Sequence, residues 1–196
     1  MHDFDSLIDV RCGDGRLLLE ISKIFPDKTL LGTDFSATAI SFANAFAPHL
    51  DIRAVTLEEM VNQKKLFSIG TLIEVLEHIP PMESTGFLQR FKSVIEPGGR
   101  ALISVPSINV PLNPKHYRHF DENSLREILE PHFTILTVEY LNAEVWGEKI
   151  LRRILANRFF ILNEPIIVQK IYDYYRRHYL RATPQTGGRL VAVVQN

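Results

Sequence analysis

Short apolar runs alternate with amphipathic segments over the first two thirds of the chain. The runs are bounded by turn-forming residues, as buried strands are, and the segments between them carry apolar residues at helical spacing. The pattern predicts strands at 7–10, 29–33, 51–55, 67–73 and 100–105, and helices at 15–25, 37–47 and 81–95. Strands and helices that alternate with such short connections predict a parallel sheet covered by helices on both faces.

The last third of the chain has a different pattern. Residues 133–140 and 190–195 are predicted strands, and residues 148–180 between them are predicted to be helical. We interpret the chain as a single domain, residues 1–196, in which a helical insert at about 143–187 forms a cap over the site.

The predicted helical insert is rich in both basic and aromatic side chains. They are Arg152, Arg153, Arg158, Lys170, Arg176 and Arg177, with Phe159, Phe160, Tyr172, Tyr174, Tyr175 and Tyr179. Such side chains can stack on and neutralise a nucleotide-linked or sugar-phosphate acceptor. The pattern favours the simpler interpretation, an amphipathic helix pair that packs its aromatic rings on the sheet and turns its charges to water.

The composition is that of a globular protein, with 45% hydrophobic and 23% charged residues. A net charge of −1 provides no overall field that would attract nucleic acid or an anionic membrane, so nucleic acid is not expected as a partner. The single cysteine, Cys12, excludes a disulfide within the chain and suits a reducing compartment. The N-terminus has no signal-peptide pattern, and no apolar stretch approaches the ~20 residues of a membrane span. We therefore expect a cytoplasmic protein without membrane insertion; the sequence gives no indication of its oligomeric state.

A glycine-rich turn follows the first predicted strand, with the sequence Asp9-Val10-Arg11-Cys12-Gly13-Asp14-Gly15. Glycines between a strand and a helix let the backbone approach a ligand at the carboxyl edge of a parallel sheet. Asp34 follows the second strand, where a carboxylate can accept hydrogen bonds from both hydroxyls of a ribose. Because Asp14 would repel a pyrophosphate, the pattern favours a nucleoside that carries no phosphate.

The sequence resembles the class I S-adenosylmethionine-dependent methyltransferases in four segments, which occur in the order of that family. The first is the glycine-rich turn, and the others are Gly32-Thr33-Asp34-Phe35-Ser36-Ala37-Thr38-Ala39-Ile40, Glu74-Val75-Leu76-Glu77-His78-Ile79-Pro80 and Ile95-Glu96-Pro97-Gly98-Gly99-Arg100. The resemblance implies an α/β fold with a doubly wound, Rossmann-like sheet of seven strands, the last antiparallel, and S-adenosylmethionine as the cofactor. With the segment 113–120, the arrangement is similar to bacterial methyltransferases of small-molecule and surface-polysaccharide synthesis.

The resemblance also implies roles for individual residues. Asp9 and Gly13 are implied at the methionine end of the cofactor, Asp34 at the ribose and Phe35 on the adenine, with residues 56–58 along the adenine edge. The full set of implied cofactor-binding residues is Asp9, Arg11, Cys12, Gly13, Gly15, Asp34, Phe35, Thr56, Leu57, Ile73 and Glu74.

The chain departs from the family pattern at the first motif glycine, where it has Arg11. A glycine there permits a tight turn close to the ligand, so a bulky side chain could strain the loop or fill the pocket. We expect Arg11 to keep its backbone in an allowed region and to point outward, to water or toward the nearby Asp9 or Asp14. Only about six residues precede the first strand, where relatives carry a helix that folds over the cofactor, so we also expect an open pocket.

Candidate bases lie beyond the fourth and fifth strands. Methyl transfer from a sulfonium is an in-line displacement from an activated donor, so the protein aligns the acceptor and can remove its proton. His78 follows the fourth strand, and His116 and His119 lie in the loop 106–120 after the fifth strand, at the mouth of the site in this fold. These three histidines are the candidate catalytic residues; the alternative is that His78 caps a helix and that the loop is merely solvated.

Glu74, Glu77 and His78 also resemble the metal-binding Glu-x-x-Glu-His of small-RNA 3′-terminal 2′-O-methyltransferases, with His119 as a fourth ligand. Carboxylates and imidazoles suit a divalent ion such as Mg²⁺ or Mn²⁺. Ubiquinone-pathway O-methyltransferases show a similar motif, yet many relatives with this segment are not known to need a metal. We therefore predict that no metal is required.

The sequence thus predicts a methyltransferase that uses S-adenosylmethionine and acts on a small or carrier-linked acceptor, at oxygen rather than elsewhere. One alternative is a metal-assisted RNA 2′-O-methyltransferase, against which the net charge argues. The other is a non-catalytic binding protein with the methyltransferase fold, which Arg11 would favour.

Overall fold

The computed structural model describes residues 4–156 and 164–196. In these residues seven strands form one sheet: β1 (Ser6–Val10), β2 (Thr29–Thr33), β3 (Asp51–Arg53), β4 (Phe67–Ile73), β5 (Ile95–Pro106), β6 (Thr134–Ala143) and β7 (Gly187–Gln195). The order across the sheet is β3-β2-β1-β4-β5-β7-β6. Strands β1 to β5 run parallel, and β7 lies antiparallel between β5 and β6. The predicted doubly wound, Rossmann-like sheet with an antiparallel last strand is confirmed.

Seven α-helices connect the strands within the described residues: α1 (Arg16–Ile24), α2 (Ala37–Phe46), α3 (Leu57–Asn62), α4 (Ser84–Ser93), α5 (Glu122–Leu129), α6 (Trp146–Leu155) and α7 (Pro165–His178). Helix α2 begins as its sequence indicates, because the Ser36 hydroxyl accepts a hydrogen bond from the Ala39 amide at 3.3 Å. Helix α4 begins three residues later than Pro81, since a short 3-10 turn at Pro81–Glu83 precedes it.

The pattern of apolar positions does not predict two of these helices, α3 and α5. Helix α3 follows Thr56, whose hydroxyl accepts the Glu59 amide at 3.2 Å while the Glu59 carboxylate accepts the Thr56 amide at 2.6 Å. Asp121 and Ser124 make the same reciprocal pair before α5. Each pair satisfies two amides that would otherwise have no partner, which allows a short helix to form. The sequence signal was therefore present, in the form Thr-x-x-Glu before α3.

The hydrophobic core lies on both faces of the sheet. Leu7 and Ile8 are consecutive residues of β1 that belong to two different buried clusters. Because successive side chains of a strand point to opposite faces, the two clusters lie on opposite sides of the sheet. The smaller cluster contains Leu18 of α1 and Ala43 of α2, and the larger one contains Phe91 of α4. The sheet is thereby held between two helical layers, with its carboxyl edge left for a site.

Helices α6 and α7 form the insert between β6 and β7. Residues 157–163, with Arg158, Phe159 and Phe160 of the predicted insert, lie outside the described residues. The expected packing of aromatic rings on the sheet is wrong for Tyr172 and Tyr174, which are 53% and 50% exposed. The physical reason is that α7 is only partly covered by the rest of the protein, since none of its residues is fully buried. Every helix within residues 4–156 and 164–196 is too short or too polar to cross a membrane.

Candidate active site

The residues that follow β2, β1 and β4 are neighbours along one edge of the sheet. Val10 pairs with Thr33 and Asp9 pairs with Thr71, so the three strands end within one residue of one another. The chain order of the sheet reverses between β1 and β4, which is the position where ligands bind in open α/β sheets. Asp34, Arg11 and Glu74 therefore lie in a row at this position.

A cleft of about 290 Å³ opens beside the ends of β1 and β2. The structure brings five of the predicted cofactor residues together in its lining: Arg11, Asp34, Phe35, Thr56 and Leu57. The other predicted residues are not in this lining: Asp9, Cys12, Gly13, Gly15, Ile73 and Glu74. The cleft is also lined by residues that the sequence did not single out, among them Phe87 and Arg90 of α4. No motif marks these two side chains, because they reach the cleft from a helix far along the chain.

The Asp34 carboxylate is fixed by the backbone of the two loops that meet at the cleft. The Gly13 amide donates to Oδ2 at 3.0 Å and the Ser36 amide donates to Oδ1 at 2.8 Å. Asp34 is 8% exposed, so most of its side chain is buried against the two loops. Each carboxylate oxygen retains acceptor capacity for one further donor. This arrangement can accept hydrogen bonds from a pair of ribose hydroxyls, the role that the sequence predicts.

Two glycines of the loop after β1 have positive φ angles for different reasons. Gly13 has a φ of 57°, and a Cβ added there would meet nothing within 4 Å, so this part of the loop presents an open backbone face. Gly15 has a φ of 71°, and a Cβ there would lie 2.6 Å from Ile52 Cδ1. Gly13 therefore leaves room for a ligand, whereas Gly15 lets the start of α1 pack closely on the sheet.

Arg11 adopts a left-handed backbone conformation with a φ of 60°. Its guanidinium carbon lies 4.7 Å from the centroid of the Phe35 ring, inside the lining of the cleft. The expectation that Arg11 points to Asp9 or Asp14 is therefore wrong. The exposed face of Phe35 attracts the cation, whereas Asp9 is buried behind the loop and Asp14 faces Arg16.

Asp9 lies beneath the loop, where Thr71 Oγ1 donates to its Oδ1 at 2.6 Å. Burial raises the pKa of Asp9 to about 7 despite this hydrogen bond. Burial, together with Asp9 and Asp34, also raises the pKa of the Cys12 thiol to about 12. Cys12 is thus a neutral thiol packed against the smaller core cluster and is unsuited to nucleophilic chemistry.

A second, polar cavity of about 370 Å³ lies on the other side of Glu74, beneath the insert. Glu74 has a left-handed φ of 56°, a conformation that costs energy and is concentrated at functional sites. The Ser104 hydroxyl donates to Glu74 Oε1 at 2.9 Å. Arg189 Nε lies 3.0 Å from the same oxygen as an ion pair, although its N–H does not point at the carboxylate. The polar cavity is further lined by Pro106, Val110, Asn142, Glu144, Glu148, Arg152, Tyr175 and Gly188.

The three predicted catalytic histidines come together beside β4. His116 Nδ1 lies 2.9 Å from His119 Nε2, and the rings of His78 and His116 are 4.6 Å apart between centroids. His119 Nδ1 lies 3.2 Å from the Val110 carbonyl, and His78 Nδ1 lies 3.2 Å from the Lys115 carbonyl. Because a carbonyl only accepts, both of these Nδ1 atoms carry a proton when the rings are neutral.

This assignment fixes the remaining ring nitrogens. His119 Nε2 is then an acceptor, so His116 Nδ1 donates to it, and His116 Nε2 is left with a free lone pair. Burial lowers the pKa of His116, and the neighbouring His78 and His119 lower it further. His116 therefore stays neutral near pH 7 and can accept a proton.

Glu77 is the one buried acid of this region without a hydrogen bond to its carboxylate in the described part of the chain. Burial raises its pKa to about 7. A carboxylate oxygen of Glu77 and one ring nitrogen each of His78 and His116 lie within 4.8 Å of one another, a geometry that could hold a divalent ion. This trio differs from the predicted set, because Glu74 faces Ser104 and Arg189, and His119 is bonded to His116.

The chain is similar to known methyltransferases in sequence. Residues 7–99 match the family model described as a methyltransferase domain. The ubiquinone biosynthesis O-methyltransferase of Rhizobium leguminosarum bv. trifolii is 33% identical over 107 residues, which cover 53% of this chain and 40% of that protein. A probable S-adenosylmethionine-dependent methyltransferase of Mycolicibacterium smegmatis is 25% identical over 134 residues, which cover 63% of this chain and 49% of that protein. The chain spans half the length, or less, of these curated relatives.

The fold is shared with solved methyltransferases. A SAM-dependent methyltransferase from Archaeoglobus fulgidus aligns with a TM-score of 0.67 at 16% identity, covering 98% of this chain and 86% of that chain. The agreement extends over the sheet order and the antiparallel β7, and the family match covers the loops that form the cleft. In sequence over residues 7–99 and in fold over nearly the whole chain, the protein is similar to the class I S-adenosylmethionine-dependent methyltransferases.

Proposed function

We propose that this protein transfers a methyl group from S-adenosylmethionine to a hydroxyl group of a small or carrier-linked acceptor. The observation that carries the proposal is the position of Glu74, which follows β4 between the cleft beside β1 and β2 and the polar cavity at β5 and β7. Donor and acceptor bound in these two spaces would meet at the carboxyl edge of β4. Alignment of two reactants in this way supplies much of the rate enhancement in such a displacement.

The cleft suits the adenosine part of the cofactor by its chemistry. Asp34 offers acceptors to the ribose, Phe35 offers a ring face to the adenine, and the open backbone at Gly13 leaves room for the methionine part. The volume of about 290 Å³ is near the lower limit for small-molecule sites, and the Arg11 side chain takes up part of the space. Stacking of adenine on Phe35 therefore requires the guanidinium to move. The bound cofactor would supply an activated methyl group on its sulfonium.

His116 is the residue of this chain that is best arranged to accept the proton of a hydroxyl acceptor. Its Nε2 has a free lone pair, and its Nδ1 donates to His119, which orients the ring. His119 is in turn oriented by the Val110 carbonyl, and Val110 lines the polar cavity. Acceptors that are oxygen nucleophiles need this proton transfer, and a positioned base typically contributes about 10²–10⁴-fold. The relatives named as O-methyltransferases support the choice of oxygen.

Calorimetric titration with S-adenosylhomocysteine, the demethylated product, tests the donor site. We expect saturable binding to a single site. Transfer of a labelled methyl group to hydroxyl-bearing compounds then tests the base, and His116→Gln should reduce the rate by about 100-fold or more while leaving the affinity for S-adenosylhomocysteine unchanged. Absence of binding would contradict the proposal and favour the non-catalytic binding protein, to which the position of Arg11 over Phe35 also points.

The trio of Glu77, His78 and His116 favours a second candidate, a metal-assisted methyltransferase. The two candidates use His116 differently, because a nitrogen bound to a divalent ion is not available as a base. Exhaustive chelation separates them. On our proposal, chelation leaves both cofactor binding and transfer unchanged, whereas a loss of transfer that Mg²⁺ or Mn²⁺ restores would favour the metal-assisted reaction.

A further inference from the structure

We infer that the methyl acceptor is an amphiphile with an uncharged, hydroxyl-bearing head in the polar cavity and an apolar tail in a groove between α6 and α7. This inference rests on the proposed function, since it identifies the acceptor of that site. We call the second space the apolar groove; its apolar walls are formed by Leu151 and Leu155 of α6 and by Val168 and Ile171 of α7.

The apolar groove is large enough for a chain-like ligand, and the surface that it presents is almost entirely apolar. Its volume is about 450 Å³. Leu155 and Val168 are 40% and 43% exposed, so apolar surface faces solvent along the groove. Burial of such surface by an apolar ligand is favourable in proportion to the area removed from water. The groove therefore suits an aliphatic or prenyl chain.

The polar cavity and the apolar groove share a wall. Glu148, Arg152 and Tyr175 line both spaces. Arg152 is held by Glu144 at 3.1 Å and by Glu148 at 2.7 Å, and the Tyr175 hydroxyl donates to Asn142 at 2.9 Å. The polar ends of Arg152 and Tyr175 are thus turned to residues of the polar cavity. Their hydrocarbon parts are left to face the groove, as amphipathic side chains commonly arrange themselves.

The charges of the polar cavity indicate an uncharged head. Its lining contains three acids, Glu74, Glu144 and Glu148, and two guanidinium groups. Arg189 is paired with Glu74, and Arg152 is paired with Glu144 and Glu148. The lining thus holds one more acid than guanidinium groups, which disfavours a phosphate or carboxylate in this cavity. Hydroxyl groups both donate and accept hydrogen bonds, so they can bind to the paired charged groups and the amide that line the cavity.

A series of alkyl β-D-glucosides tests the inference directly. The probes are hexyl, heptyl and octyl glucoside, each below its micelle concentration, titrated by calorimetry into the protein saturated with S-adenosylhomocysteine. Each methylene that the groove buries should tighten binding about fourfold, so octyl glucoside should bind about fifteenfold more tightly than hexyl glucoside. Equal affinities for the three glucosides would overturn the inference.

Two neighbouring positions of α7 provide the variant and its matched control. Val168→Glu places a charge in the groove and should reduce the affinity for octyl glucoside at least tenfold. Ile167→Glu places the same charge at an equally exposed position, 46% exposed, that does not line the groove, and should change nothing. Equal losses in both variants, or loss of self-association as the only effect of Val168→Glu, would overturn the assignment of the groove to the acceptor. Binding of S-adenosylhomocysteine is measured separately from binding of the glucosides. If S-adenosylhomocysteine does not bind, the proposed function is contradicted. If it binds but the three glucosides bind equally, only this inference is contradicted.

Discussion

At the scale of single residues, Arg11 determines how much of the cleft beside β1 and β2 is free. A left-handed conformation costs a non-glycine residue about 1–2 kcal/mol, and Arg11 holds one while its guanidinium lies over Phe35. The contact between cation and ring contributes about 0.5–1 kcal/mol at an exposed site. A cofactor that stacks on Phe35 has to replace this contact.

The variants Arg11→Ala and Arg11→Gly separate the effect of the Arg11 side chain from the effect of its backbone conformation. Both variants should bind S-adenosylhomocysteine about two- to fivefold more tightly, because the contact with Phe35 no longer has to be broken. Only the glycine variant relieves the strain of the left-handed backbone conformation. Its free energy of unfolding should therefore exceed that of the alanine variant by about 1 kcal/mol. Calorimetry and urea unfolding measure the two effects. Weaker binding in both variants would mean that the guanidinium contacts the cofactor.

Asp34→Asn tests the ribose contact with little change in shape. The amide group keeps one acceptor oxygen but loses the charge and the second acceptor, and hydrogen bonds to a charged group contribute about 1.5–3 kcal/mol. We expect the affinity for S-adenosylhomocysteine to fall about tenfold or more, as measured by calorimetry. Asp14→Asn, in the exposed part of the loop after β1, is the control and should bind as the wild type does. Equal affinities in all three proteins would refute the role of Asp34.

The buried Asp9 makes stability depend on pH. Its pKa of about 7 in the folded protein exceeds the ordinary value of 3.8, so the folded state holds the proton more tightly than the unfolded state. The free energy of unfolding should therefore decline as the pH rises from about 4 to about 7. In Asp9→Asn the decline should be smaller, and Glu77, whose pKa is raised in the same direction, should account for what remains. Urea unfolding between pH 4.5 and pH 8 checks this; parallel curves for the two proteins would contradict it.

At the scale of elements, the capping box before α3 supports one wall of the cleft. Thr56→Ala removes the hydroxyl that accepts the Glu59 amide, and the loss of such a cap typically costs about 1 kcal/mol. We expect urea unfolding to show this loss. Thr38→Ala, at an exposed position in the first turn of α2, removes a hydroxyl that caps nothing and should leave stability nearly unchanged. If the two variants are equally stable, the capping box does not hold α3.

The elements also show how far the pattern of apolar positions determines structure. β2 and β4 agree with the predicted 29–33 and 67–73, because each is a short segment without charges, buried along most of its length and bounded by charged residues nearby in the chain. Helices α3 and α5 are six and eight residues long, too short for a helical period to stand out, and their only signal is the cap. In the described residues, the predicted helical stretch 148–180 corresponds to α6, which begins at Trp146, and α7, which begins at Pro165, in line with the favoured helix pair.

At the scale of the whole molecule, only those parts of the site that lie next to strand ends are predictable from the sequence. Asp34, Phe35 and Thr56 lie in segments next to strand ends, and a parallel sheet brings such ends together. Phe87 and Arg189 reach the site from α4 and β7. Their positions depend on the packing angle of a helix and the register of an antiparallel strand, and neither is encoded in a local pattern of residues. The side-chain direction of Arg11 depends in the same way on a ring that belongs to another loop.

The direct pairing of Ala143 with Gly187 bears on how proteins of this kind diversify. The chain leaves β6 and re-enters β7 at points about 5 Å apart, the distance between paired residues of neighbouring strands. A two-residue Asn-Gly hairpin turn could replace the segment between these points and keep the pairing of β6 with β7, at the cost of the backbone hydrogen bonds that Tyr179, Leu180 and Ala182 make with β6. On the proposed function, the donor is recognised by the sheet and the acceptor largely by this segment. A lineage could thus exchange this one segment for another and acquire a new acceptor while the proposed methyl-donor site stays unchanged.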